Sequence, residues 1–122
     1  MMKKIIFAMA AILILQACGQ DQSIQIIKNG SFNACGKANI GDLVNNFFDG
    51  PSWTAIEAVD GRKYVNLEGE MTYDEIPADA LVQFTAPLTE YASFEINAFE
   101  INGVGQNQFM IGALVSAMCD EY

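Results

Sequence analysis

This 122-residue chain contains no histidine. The side chains that could still do chemistry are its cysteine thiols and a pair of nearby carboxylates. The thiols belong to Cys18, Cys35 and Cys119, and the carboxylates to Glu68 and Glu70. Without histidine, Ser-His-Asp and Cys-His nucleophile systems are excluded, as are nearly all zinc hydrolase sites. No glycine-rich phosphate loop is present either. We therefore predict a protein that is not an enzyme and that has no cofactor and no metal site.

The Glu68/Glu70 pair is the remaining route to catalysis. Two residues apart on one face of a strand, the two carboxyl groups lie ~6–7 Å apart, which suits a glycosidase pair. No apolar pocket that would raise the pKa of one of them is visible in the sequence. A solvated sheet face is the simpler interpretation. A ligand-binding or carbohydrate-active envelope domain that uses this face is the alternative.

The N-terminal residues have the layout of an export signal. Lys3 and Lys4 precede an uncharged apolar run over residues 5–15, which is too short to cross ~30 Å of hydrocarbon. The segment Leu15-Gln16-Ala17-Cys18 follows and resembles the lipobox of bacterial lipoproteins. The resemblance implies cleavage before Cys18 and a diacylglyceryl group on its sulfur. An uncleaved signal anchor, or a plain secretory signal with a chance cysteine, is the alternative.

Three segments follow from this resemblance: a signal peptide over residues 1–17, a lipidated tether over 18–23, and one small domain over 24–122. One acyl chain binds a bilayer marginally, whereas two or more anchor a protein stably. The lipid on Cys18 is therefore expected to hold the protein on a membrane. Gly19 is not the Asp that favours inner-membrane retention, so we expect the outer membrane, facing the periplasm.

The charge of the domain is strongly negative. After loss of the signal, four Lys and Arg residues remain against fifteen Asp and Glu residues. Nucleic acid is excluded as a partner because its binding requires a basic surface. Anionic head groups are repelled in the same way, so the membrane contact should come from the lipid alone.

Cysteine number predicts one disulfide. With Cys18 assigned to the lipid, Cys35 and Cys119 remain as a pair in an oxidising compartment. Loop-closure entropy predicts ~4.5 kcal/mol as the upper limit of its stabilisation. Two unrelated buried thiols are the alternative.

Hydrophobic patterning predicts an α+β fold: an antiparallel sheet of four to five strands with an N-terminal and a C-terminal helix packed on one face. The first helix begins after the N-cap Asn39 and carries an apolar stripe to Phe48. The last is predicted over 106–118. Strands are predicted over 24–27, 53–59, 65–73, 80–84 and 93–101, with a hairpin at Asp60-Gly61 and a turn over 75–79 around Pro77.

The last predicted strand contains a short internal repeat, since the sequence Phe-Glu-Ile-Asn of residues 94–97 recurs at residues 99–102. Strand side chains alternate with period two, so the second copy faces the opposite side unless a bulge intervenes. We place that bulge at Ala98-Phe99. The predicted core consists of Leu43, Val44, Phe47, Val65, Leu67, Val82, Phe84, Ile96, Ile111 and Leu114.

Two further surface candidates are Trp53 and an amide-rich strip formed by Asn97, Asn102, Gln106, Asn107 and Gln108. Trp53 is either a platform for a sugar or a partner, or a cover for the helix–strand junction beside Phe47 or Phe48. The amides either cap the last helix or contact the backbone of a partner.

Several short motifs lie along residues 26–119. They are Ile40-Gly41 before Phe47-Phe48, Pro51-Ser52-Trp53, Asp60-Gly61 before Tyr64-Val65, Gln83-Phe84, Phe94-Glu95, and Asn102-Gly103 with Gln106-Asn107. With them the chain resembles a group of small uncharacterised bacterial domains of lipoproteins and other exported proteins. That resemblance implies a fold unit and no catalytic residue. We expect a membrane-anchored, non-catalytic envelope lipoprotein that binds another envelope protein.

Overall fold

The computed structural model describes residues 22–36 and 38–122, so the predicted signal peptide and Cys18 lie outside the described residues. The predicted α+β fold is confirmed, with an antiparallel sheet of order β1-β2-β3-β4-β5. The elements are α1 (residues 22–29), a 3₁₀ turn (Asn33–Cys35), α2 (Ile40–Phe47), β1 (Asp49–Glu57), β2 (Lys63–Tyr73), β3 (Ile76–Thr85), β4 (Ile96–Ile101), β5 (Val104–Gly105) and α3 (Gln108–Glu121). None of these helices is long and apolar enough to span a membrane.

The caps of α2 and α3 account for where these helices begin. The Asn39 side chain accepts a hydrogen bond from the Asp42 N–H at 2.8 Å, which confirms the predicted N-cap. Asn107 accepts from the Met110 N–H at 3.0 Å in the same way. Each bond satisfies a backbone donor that the first helical turn leaves free.

One face of the sheet carries the core. Alternate residues of β2 and β3, among them Val65, Leu67, Val82 and Phe84, are buried under α2 and α3. Two members of the predicted core, Phe47 and Ile96, are only partly buried, so their assignment to the interior was wrong. The interior instead includes residues that the sequence did not single out as core: Ile27, Ile40, Phe48, Phe99, Ile101 and Met118.

The strand predicted over residues 24–27 is wrong, because this segment belongs to α1. Ile24 and Ile27, three residues apart, are both buried, as the helical period requires. The Ser23 hydroxyl donates to the Pro87 carbonyl at 2.9 Å and thereby fixes the helix against the segment after β3. Residues 22 and 23, which the sequence assigned to the tether, are the first described residues of this helix.

The turn predicted over residues 75–79 is also wrong. The chain reverses at Asp74-Glu75, both with positive φ (55° and 68°), and residues 76–79 are part of β3. Positive φ at both central residues is the mark of a two-residue type I′ hairpin. Pro77 pairs with Thr72. Bonded and non-bonded pairs alternate from the turn, so its nitrogen faces away from β2 and removes no bond from that ladder.

The bulge predicted in the last strand exists but lies one residue earlier. Gln83 pairs with Ala98 and Phe84 with Ile96, so Asn97 is the extra residue of β4. Because of this extra residue, the second copy of the repeat faces the same side of the sheet as the first. Ile96 and Phe99 both pack toward the core.

The predicted disulfide is confirmed. Cys35 and Cys119 are bonded, with their Cα atoms 5.7 Å apart and a separation of 84 positions in the sequence. The bond joins the 3₁₀ turn before α2 to the last turns of α3.

Candidate functional site

The second face of the sheet is the largest feature that the described helices leave uncovered. We call it the open face. Its side chains alternate with the buried ones along each strand, which confirms the faces predicted for β2. The members used below are Ser52, Thr54, Asn66, Glu68, Glu70, Asp79, Leu81, Gln83, Asn97 and Glu100.

A row of amides crosses three strands on this face. The Gln83 amide nitrogen donates to the Asn66 side-chain oxygen at 3.1 Å, and its oxygen accepts from the Asn97 amide at 2.8 Å. We call Asn66, Gln83 and Asn97 the amide row. The bulge at Asn97 places the third amide in reach of Gln83. The sequence singles out Asn97 as part of an amide-rich strip but does not predict this row, because the row depends on the register of three strands at once.

Glu68 and Glu70 both lie exposed on the open face, next to the amide row. Glu70 is flanked across the ladder by Asp49 and Asp79. Carboxylates that face each other directly across strands repel, so this end of the sheet carries a concentrated negative charge. Both glutamates are exposed, and neither of the two cavities described below is lined by them, which counts against the carbohydrate-active alternative.

No basic side chain lies on the open face within the part of the chain that the structure describes. Arg62 lies in the β1–β2 loop, where it pairs with Asp60 at 3.3 Å. Lys63 is the first residue of β2 and lies on the helix side, as alternation from Val65 requires, and Lys28 belongs to α1. The negative charge of the face is therefore not neutralised by these residues.

Trp53 lies on the helix side of the sheet, opposite the open face. It pairs with the buried Leu67 and stacks on Phe84, with 5.9 Å between ring centroids. The Lys28 ammonium lies 5.5 Å from its ring centroid, which is a cation–π distance. Trp53 is half-buried by these neighbours, and its aromatic neighbour is Phe84 rather than Phe47 or Phe48, so the predicted place beside those residues was wrong. It does not join Glu68 and Glu70 in one site.

The amides Asn102, Gln106 and Asn107 each bond to the backbone of this chain. Asn102, at φ 51°, accepts from the Asp79 N–H at 2.9 Å and closes the turn between β4 and β5. The Gln106 side chain donates to the Val104 carbonyl at 2.9 Å. Asn107 caps α3 through the Met110 N–H, so the capping interpretation holds for this one of the three amides.

Two shallow cavities open on the helix side. The smaller, about 380 Å³, lies between α1 and residues 90–94. The larger, about 520 Å³, lies between the 3₁₀ turn, residues 93–96 and the start of α3. Neither is lined by Trp53, Glu68 or Glu70.

Among the described residues, no group of three or more Cys, Asp and Glu side chains is placed to hold a metal ion. No family model matches the chain, and no curated protein or solved structure is detectably similar to it. The interpretation of the site therefore depends on its geometry and on the sequence.

Proposed function

We propose that this protein is a lipid-anchored lipoprotein of the cell envelope that works by binding another envelope protein, without catalysis. The observation that carries the binding role is the open face. It is a broad sheet surface with exposed carboxylates beside an ordered amide row, and neither of the two cavities is lined by Glu68 or Glu70. A polar surface of this kind suits contact with a protein, whereas small-molecule sites are concave and mostly apolar.

The anchoring part of the proposal rests on the sequence before residue 19. The two lysines, the short apolar run and the Cys18 position match a lipoprotein signal. A diacylated cysteine gives stable attachment to a bilayer. Gly19 favours the outer membrane, with the domain in the periplasm.

The charge of the domain fits this arrangement. A strongly acidic domain is repelled by anionic head groups and is held away from the bilayer surface on its tether. The open face then stays accessible to a second protein. Charge complementarity favours a partner with basic groups at the contact.

Lipid attachment can be tested on the full-length chain expressed in a bacterium that processes lipoproteins. We expect the protein to fractionate with membranes and to incorporate labelled palmitate. Cys18→Ser should abolish both, whereas Cys35→Ser should leave the label in place. Palmitate incorporation that survives Cys18→Ser would contradict the assignment.

Binding can be separated from catalysis by replacing both open-face glutamates. We expect the Glu68→Gln/Glu70→Gln variant to complement a deletion strain in part, because it weakens the contact with a basic partner but removes no chemical step. The matched control is the wild-type chain at the same expression level. Complete loss of complementation by a variant that is folded and correctly localised would favour the carbohydrate-active alternative.

A further inference from the structure

The two edges of the sheet are built differently. β5 ends one side with only two residues, Val104–Gly105. β1 ends the other side with nine residues, Asp49–Glu57. A very short edge strand limits pairing with another chain, as do prolines and bulges, whereas a long regular edge invites it. In β1, Pro51 and the bulge between Asp49 and Ser52 protect only the first residues, and residues 52–57 form a regular edge.

The hydrogen-bond pattern identifies which groups β1 leaves free. The Ala58 N–H donates to the Arg62 carbonyl at 2.8 Å. Bonded and non-bonded pairs alternate in an antiparallel ladder, so the bonded pairs of β1 are those formed by Ser52, Thr54 and Ile56. The N–H and C=O groups of the three residues between and after them point to the outer edge; these residues are Trp53, Ala55 and Glu57.

The other strand pairs give the same alternation independently. The Ala86 N–H donates to the Lys63 carbonyl, which places the odd-numbered residues of β2 toward β3 and the even-numbered ones toward β1. Within the residues that the structure describes, no further backbone or side-chain hydrogen bond involves the outward groups of Trp53, Ala55 and Glu57. Six backbone groups are thus arranged for a further strand.

The surroundings of this edge differ on its two sides. On the open face, Ser52 and Thr54 are small and exposed, and Glu68 lies directly behind Ser52 in the next strand. On the helix side, Trp53 and Ala55 are half-buried and pack against the core. An added strand lies about 4.8 Å outside β1, so a long side chain on its open-face side passes over Ser52 toward Glu68. Side chains on its other side meet apolar surface.

We propose that the outer edge of β1, residues 52–57, pairs with an extended segment of a partner protein in which basic and apolar residues alternate. The segment adds a sixth strand through the free groups of Trp53, Ala55 and Glu57. Its basic side chains lie over the open face near Glu68 and Glu70, and its apolar ones lie beside Trp53 and Ala55. This inference rests on the proposed binding function and adds to it the site and the chemistry of the partner.

A second copy of this chain fits the same edge less well. Pairing β1 with β1 of another copy would bring two acidic open faces side by side, and the chain carries a formal charge of −9. Like charges placed together destabilise an interface. The charge of the face therefore favours a basic partner.

The test is residue-resolved hydrogen exchange of the complete chain in detergent micelles, with an alternating Lys/Val heptapeptide as the probe. Without peptide, the amides of Trp53, Ala55 and Glu57 should exchange freely, whereas those of Ser52, Thr54 and Ile56 are protected. With peptide at ten times its dissociation constant, exchange at Trp53, Ala55 and Glu57 should slow about tenfold. An alternating Glu/Val heptapeptide at the same concentration should protect none of them.

Two variants make the test specific. Ala55→Pro removes an outward N–H without removing a β1–β2 bond, so it should abolish peptide binding. Because proline can perturb the half-buried position, Glu68→Lys is the second variant, and it should weaken binding at least tenfold through charge alone. Its matched control is Glu90→Lys, an equal charge change in the loop after β3, which should bind almost as the wild type does.

Three results would overturn the proposal. They are protection confined to other strands, equal binding of the Lys/Val and Glu/Val peptides, and a dimer of the chain alone that Ala55→Pro dissociates. Failure of the proposed function would give a different result from failure of this proposal. In that case the wild-type protein would capture no envelope protein in cells. Capture that is equal for the wild type, Ala55→Pro and Glu68→Lys would retain the binding function and reject this edge.

Discussion

The Cβ atom of Phe48 lies only 3.0 Å from the position that a Cβ atom at Gly69 would occupy. Phe48 follows the last turn of α2 and is buried, and Gly69 lies in the middle of β2 on the same side of the sheet. The absence of a side chain at residue 69 therefore lets the end of α2 approach the sheet closely. This contact positions the start of β1, the strand that carries the proposed pairing edge.

We predict that Gly69→Ala destabilises the domain by about 1–3 kcal/mol, because the added methyl group lies 3.0 Å from the Phe48 Cβ atom and forces the end of α2 away from the sheet. Urea unfolding followed by tryptophan fluorescence measures this change. Gly105→Ala in β5 is the matched control, since a Cβ atom there has no neighbour within 4 Å. Equal stability of the two variants would contradict the contact.

The disulfide should contribute a large share of the stability. Its loop of about 85 residues corresponds to ~4.5 kcal/mol of loop-closure entropy, although such bonds often deliver less. We expect reductant to lower the urea midpoint of the wild type markedly. The Cys35→Ser/Cys119→Ser variant should have the lowered midpoint with or without reductant. A midpoint that reductant leaves unchanged in the wild type would show that the bond does not stabilise the fold.

The amide row should act as a coupled unit. We predict that Gln83→Ala costs about 1–2 kcal/mol, because it removes two side-chain hydrogen bonds. A double-mutant cycle with Asn97→Ala should give a coupling energy of about 0.5–1 kcal/mol. The same cycle with Thr72→Ala, which lies on the open face outside the row, should give none. Equal coupling in both cycles would mean that the row is not a specific network.

The turn between β2 and β3 should be strained. Glu75 has φ 68°, a conformation that costs a residue with a side chain about 1–2 kcal/mol and costs glycine little. We predict that Glu75→Gly raises the free energy of unfolding by about 1 kcal/mol. Thr72→Gly, in the interior of β2, should lower it by about 0.5–1 kcal/mol. Thermal unfolding measures both changes, and we expect stability to rise in Glu75→Gly and to fall in Thr72→Gly. A loss of stability in Glu75→Gly would contradict the turn geometry.

The sequence predicted best where one local pattern decides the structure. The N-cap at Asn39, the Asp60-Gly61 hairpin and the alternation of Val65 and Leu67 each depend on neighbouring residues alone. The failure at residues 24–27 has a physical reason, since a short segment such as Ile-Gln-Ile-Ile fits a strand and a helix equally well. Pro77 indicated a turn because proline has no N–H to donate to a strand ladder. In the structure its nitrogen faces the outer side of β3 beyond the end of β4, where no neighbouring strand needs that donor.

The candidate site was harder to predict than the fold. Glu68 and Glu70 were placed correctly on the polar face of β2 because that face depends only on alternation. The amide row and the free groups of Trp53, Ala55 and Glu57 depend on strand order, register and the Asn97 bulge. Those features follow from tertiary packing, and a single sequence contains no direct signal for them.

The central claim is that this protein binds another envelope protein while it is anchored to a membrane. The most direct test is cross-linking of the lipid-intact protein in its own cells, followed by mass spectrometry of the captured material, with Cys18→Ser and Glu68→Lys variants in parallel. We predict capture of one envelope protein in stoichiometric amount by the wild type, and its loss in both variants. Capture of nothing above background by the wild type would contradict the claim.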